Sequence, residues 1–205
     1  DFINVQRDNE VLLELGIDPN KKNVLYSGNM GEKQGLEIVI HVAKEMEDIE
    51  NVQFIMVGEG SAKDRLKKLR DSTDAKNVMF LPLQPYEILP KILASCDCHL
   101  VIQKSAASDL VLPSKLVNIL AAGGNCVTTA LKTTSLGRLF SENNNLGVLV
   151  SPESVSELKN GILKAIDMDQ PNLHAKRYAI ENLDKEIILS NFLFVISLGI
   201  IFISS

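Results

Sequence analysis

Cysteine is scarce in this chain and positive charge is not in excess. The 205 residues hold three cysteines, and 21 Lys and Arg stand against 26 Asp and Glu, a formal net charge of -5. Acids and bases are interspersed, so no basic stripe for nucleic acid exists, and any anion site is a local feature. An odd cysteine count, with no segment that reads as a secretory leader, points to a reducing cytoplasm. Cys96, Asp97, Cys98 and His99 lie side by side, but the spacing is wrong for zinc and a further ligand is needed, so no metal is expected. Histidine is equally sparse. His41 is expected on a helix near the sheet in a structural role, His99 as a satisfied core residue in a buried strand, and His174 as exposed. No Ser/His/Asp set assembles at plausible strand ends. Glu59 and Asp109 sit at loop tips with nothing to mark them as a general acid and base. No Gly-x-Gly-x-x-Gly run occurs, which argues against a nicotinamide-dependent oxidoreductase.

What is present is an apolar content of 45%, ample for a buried core, in a chain long enough for one large domain or two small ones. Short apolar runs alternate with helical patterns. Strands are predicted at Asn23–Ser27, Val52–Val57, Val78–Leu81, Cys98–Ile102, Cys126–Thr129 and Gly147–Val150. Helices are predicted at Leu36–Glu47, Ala62–Asp71, Tyr86–Ser95, Ser114–Ala122, Ser135–Glu142, Val155–Asp167 and Leu173–Leu183. Apolar strands without alternation, separated by helices, mean a parallel sheet covered on both faces. The expected fold is α/β, a doubly wound, six-stranded, Rossmann-like sheet, with ligands at the carboxyl ends of the strands.

Three segments fall at those ends: Gly28 to Gly35, Gly58-Glu59-Gly60, and Gln103 to Lys115. The last runs from a strand through a polar loop to Pro113, where a helix begins with Ser114 as a candidate cap. Lys115 then places a cation in the first turn, the wrong sign for the positive end of a helix dipole. A bound phosphate offsets that conflict. Ser114, Lys115 and Asn118 share about one turn, so a hydroxyl, an ammonium and an amide face one ligand. Lys33 and Lys115 are expected to converge on one diphosphate. Taken singly, each glycine loop is as well explained by a tight strand-to-helix turn.

The motifs Tyr26 to Gly35, Val57 to Gly60, Asn77 to Pro85 and Pro113 to Gly124 resemble retaining glycosyltransferases of family 4, most closely the colanic acid biosynthesis group. The resemblance covers roughly Asn4 to Phe192. It implies the second of the two Rossmann-like domains of a GT-B enzyme, the half that holds the sugar nucleotide. The acceptor site and the usual catalytic histidine belong to the family's first domain, so the catalytic residue is unknown within this sequence. The resemblance implies a nucleotide and diphosphate set of Gly28, Asn29, Lys33, Gly58, Glu59, Leu83, Ser114, Lys115 and Asn118. Asn29 stands where many members carry arginine. Asn118 stands where many carry the second glutamate of Glu-x7-Glu, and Leu110, beside Asp109, holds the first glutamate's position on the sugar side. The complete motif is absent.

On this reading residues 1–20 are a linker from a first domain, 21–186 the nucleotide-sugar-binding domain, and 187–205 an apolar tail of 19 residues without a charge. The tail has three open readings: a membrane segment, a helix for a partner surface, or the aberrant end of a truncated gene. The expected function is the donor-binding half of a transferase moving sugar from a UDP- or GDP-sugar to a polysaccharide or lipid-linked acceptor. The alternative is a nucleotide-sugar-binding remnant without turnover of its own. No cofactor beyond the donor is expected. The expected partners are the donor, a separate first domain and, through 187–205, a membrane; the expected location is the cytoplasm or its membrane face.

Overall fold

A computed structural model describes residues 2–49, 51–104 and 114–183. The described residues form six strands, β1 (Lys22–Ser27), β2 (Val52–Val57), β3 (Val78–Leu81), β4 (Cys98–Val101), β5 (Cys126–Thr129) and β6 (Val148–Val150). All pair in parallel, in the order β3-β2-β1-β4-β5-β6. The direction of winding reverses between β1 and β4, where a crevice opens outside the carboxyl ends of the two strands. The helices are α1 (Asn9–Glu14), α2 (Glu37–Glu45), α3 (Lys63–Thr73), α4 (Leu89–Ser95), α5 (Ser114–Ala121), α6 (Ser135–Glu142), α7 (Val155–Ile166) and α8 (Leu173–Tyr178).

Two apolar layers sandwich the sheet. One joins Val24, Phe54 and Leu100 to Val39 and Val42 of α2, Leu66 of α3 and Leu158 and Ile162 of α7. The other joins Leu25, Ile55 and Val101 to Val11 and Leu12 of α1, Ile92 of α4, Leu116 and Leu120 of α5 and Phe140 of α6. Successive strand residues face opposite layers, so strands covered on both sides have no polar face to show.

The architecture is the one the apolar pattern predicts, with local differences. Residues 1–20, expected as a linker, contain α1. Asp8 caps it by accepting from the Glu10 and Val11 backbone N–H groups, and Val11 and Leu12 are buried. Asp8 also pairs with Lys91 at 2.9 Å, tying the segment to α4. The helix expected from Tyr86 begins at Leu89, because Pro90 suits only a first turn. The helix expected through Leu183 ends at Tyr178 and continues as a π-helical turn over Ala179–Leu183. Among the described residues no helix is long and apolar enough to cross a membrane; the tail 187–205 lies outside them.

The Cys96 to His99 run also resolves. Cys96 packs into one layer and Cys98 into the other, so their thiols point to opposite faces of the sheet and do not converge. Burial pushes the Cys96 thiol up to about 12. His99 is buried as expected, but among the described residues neither ring nitrogen has a well-formed hydrogen bond, and burial pulls it down to about 4, so it is neutral. His41, expected beside the sheet, is instead exposed: α2 turns Val39, Ile40, Val42 and Ala43 inward, which leaves position 41 on the outer side. His174 is exposed, as expected.

Candidate functional site

The carboxyl ends of β1 and β2 carry two loops built as one unit. The Gly28 N–H donates to the Val57 carbonyl at 3.0 Å, Met30 N–H to Glu59 at 2.8 Å, and Ala62 N–H to Met30 at 2.9 Å. This approach demands glycine at two places. Gly58 has φ +142°, and a Cβ there would lie 2.0 Å from the Gly28 carbonyl oxygen; Gly60 has φ +154°, and its Cβ would lie 2.4 Å from the Met30 carbonyl. The glycines therefore fit the two loops together, and the backbone of Gly28 and Asn29 stays at the crevice lip.

Lys63, at the start of α3, holds the second loop. Its ammonium donates to the Gly58 carbonyl at 2.8 Å, the Glu59 carboxylate at 2.6 Å and the Leu81 carbonyl at 3.4 Å. Glu59 is thus engaged by an i,i+4 partner at the loop tip. Sequence reasoning gave Lys63 no role; its spacing from Glu59 was the available signal. Leu83, after β3, is 69% exposed at the rim.

The first turn of α5 meets the end of β1. Lys115 places its ammonium 4.5 Å from the centroid of the Tyr26 ring, and the Tyr26 hydroxyl donates to the Asn29 carbonyl at 2.7 Å. Burial pulls Lys115 down to about 8. Among the described residues it has no carboxylate partner, so a half-buried cation sits beside the glycine loop with an aromatic face against it. Ser114 is exposed and Asn118 half-buried, and the Asn118 amide has no partner among the described residues. Helix α5 starts at Ser114, so the cap position falls on residue 113, outside the described residues, as do Asp109 and Leu110.

Lys33 and Asn29 lie on the same strand-end edge as Lys115 and are exposed. The structure brings Gly28, Asn29 and Lys115 together through Tyr26, and Glu59 to Gly58 through Lys63; it gives no contact between Lys33 and Lys115. Arg65 pairs with Glu32 and Glu37 at the rim. Beyond it, a cavity of about 270 Å³ is lined by Gln34, Gly35, His41, Gln103, Lys104 and Thr129, among others.

The fold has known counterparts. Residues 9–182 match the family model described as glycosyl transferases group 1. The chain is 48% identical over 180 residues to a protein of Escherichia coli K12 named as a colanic acid biosynthesis glycosyl transferase, WcaI, covering 88% of this chain and 44% of that protein. Among solved structures, Anabaena HepE in complex with UDP superposes with a TM-score of 0.74 at 19% identity, over 93% of this chain and 52% of HepE. A sucrose-phosphate synthase of Thermosynechococcus elongatus gives 0.74 at 15% identity, over 98% and 50%. The chain thus spans about half the length of the relatives it matches, and the shared fold is the Rossmann-like half of a GT-B glycosyltransferase. With a family match running from α1 to the turn after α8, the chain belongs to the glycosyl transferases group 1 family.

Proposed function

We propose that this chain is the donor-binding half of a retaining, family 4 glycosyltransferase, with a UDP- or GDP-sugar as donor and a polysaccharide or lipid-linked acceptor. The observation that carries the reading is the half-buried Lys115 ammonium at the first turn of α5, without a carboxylate partner among the described residues, lying beside Gly28 and over the Tyr26 ring that holds Asn29. A diphosphate seated there gains an ammonium, the N-terminal end of the α5 dipole and the strand-end backbone. Kinship with WcaI supports a role in polysaccharide assembly, and the UDP complex of HepE supports a nucleotide donor.

In the proposed reaction the bond between the anomeric carbon and the diphosphate oxygen breaks. The diphosphate leaves with the electron pair and takes up the proton of the acceptor hydroxyl, as the acceptor oxygen bonds the same face of the sugar. Lys115 and the α5 terminus stabilise the charge that develops on the leaving group. Ser114, Lys33 and Asn29 add phosphate contacts and the Asn118 amide meets the ribose; acceptor binding and the catalytic histidine fall to the family's first domain. The donor is the only small molecule this reading requires, and a lipid-linked acceptor sets the work at the cytoplasmic face of a membrane.

The test is calorimetric titration of the full chain with UDP and GDP, beside Lys115→Ala and Lys33→Ala. The half-buried Lys115 cation should account for about 1.5–3 kcal/mol as a charge-assisted contact, and exposed Lys33 for clearly less. Wild-type affinity in Lys115→Ala would overturn the reading.

A further inference from the structure

We propose that Tyr26 is a positioning residue for this site: its ring seats the Lys115 ammonium, and its hydroxyl fixes the turn that faces the same ligand. The inference rests on the phosphate reading above and adds what makes that lysine competent. A cation withdrawn from water needs compensation, ordinarily a carboxylate. Lys115 has none among the described residues. The group against it is the Tyr26 π-face, centroid 4.5 Å from the ammonium. An aromatic quadrupole attracts a cation without neutralising it. The positive charge therefore stays available to an anion, where a salt bridge would spend it on a carboxylate.

The other end of the same side chain reaches the loop. The Tyr26 hydroxyl donates to the Asn29 carbonyl at 2.7 Å. Burial pushes that hydroxyl up to about 12, so it remains a donor across any ordinary assay. One residue, 1% exposed, thereby sets both the cation and the backbone opposite it. A core position alone would ask only for the ring.

Among the described residues, the surrounding ionisable groups leave this pair to itself. On β1 the group facing Lys115 is Tyr26. On the loop after it, Glu32 is engaged by Arg65, and Lys33 is exposed. After β4, Lys104 lies along Gly35 and donates to the Glu32 carbonyl at 3.3 Å. No ion pair joins any of these to Lys115 among the described residues. The proton balance then follows. The free lysine loses its proton as pH rises through about 8, whereas bound diphosphate holds the charged form. Nucleotide affinity should therefore be level from about pH 7, where the terminal phosphate is itself fully ionised, up to that value, and decline above it.

The experiment titrates the full chain with UDP by calorimetry between about pH 7 and pH 10, for wild type, Tyr26→Phe, Tyr26→Leu and Lys115→Ala. Tyr26→Phe keeps the ring, so the midpoint of the decline stays while affinity drops by one factor at every pH. Tyr26→Leu keeps the apolar enclosure and loses the ring. Affinity should fall about tenfold at neutral pH, and the midpoint should move to lower pH. A Tyr26→Leu profile with the wild-type midpoint overturns the proposal. If Lys115→Ala itself binds UDP like wild type, it is the phosphate reading that fails. Should Tyr26→Leu not fold, NMR of the wild-type chain decides: the ring must shift the Lys115 ε-methylene resonances upfield, and unshifted resonances overturn the seat.

Discussion

Replacing Lys63 with methionine isolates the interaction that holds the second glycine loop. The ammonium contacts two backbone carbonyls, Gly58 at 2.8 Å and Leu81 at 3.4 Å, and the Glu59 carboxylate at 2.6 Å. The Lys63 side chain is 12% exposed and that of Glu59 61%. These exposures rank the terms. A solvent-exposed ion pair contributes roughly 0–1 kcal/mol. A charged donor on largely buried carbonyls contributes about 1.5–3 kcal/mol, and methionine leaves those carbonyls unmet while filling much the same volume. Lys63→Met should therefore cost about 2 kcal/mol, and Glu59→Gln well under 1 kcal/mol. For a chain of this size that is a fall in melting temperature of about 4–8 °C against about 0–3 °C. Urea denaturation with unchanged slope measures both. Because Gly58 abuts Gly28, Lys63→Met should also weaken UDP binding. Equal losses in the two variants would refute the reasoning, since the carboxylate and not the carbonyls would then hold the lysine.

Gly58→Ala should be worse than either: its Cβ would sit 2.0 Å from the Gly28 oxygen at φ +142°, so the two loops must part. A loss of at least about 2 kcal/mol is expected, together with loss of UDP affinity, read by thermal melts with and without nucleotide. His99 makes the fold acid-sensitive. Its folded value of about 4 lies below the ordinary 6.5, so the unfolded chain binds the proton first, and stability falls as pH drops from 6.5 towards 4. That contribution approaches about 3 kcal/mol, and a His99→Met variant should lack it when urea midpoints at neutral and acid pH are compared.

The sheet was legible because strands buried on both faces read as unbroken apolar runs: Val52–Val57 and Val78–Leu81 carry the predicted limits. The missed element, α1, had its own signal in Asp8 before an apolar repeat, a capping residue hidden by the expectation of a linker. His41 was misplaced because one residue of phase on a short helix separates core from solvent. At the site, strand-end rules located Gly28, Gly58 and Lys115, since topology alone puts these loops on one edge. The Tyr26–Lys115 and Lys63–Gly58 contacts were not legible. Each joins elements far apart in sequence or uses a backbone carbonyl, which no spacing pattern records.

The most direct test of the donor site is a crystal structure of the full chain with UDP bound. The account predicts diphosphate oxygens within hydrogen-bonding distance of the Lys115 ammonium and of the backbone at Gly28 and Asn29, with the Tyr26 ring still stacked against the lysine. A diphosphate bound elsewhere, or one that leaves Lys115 without contact, would contradict it.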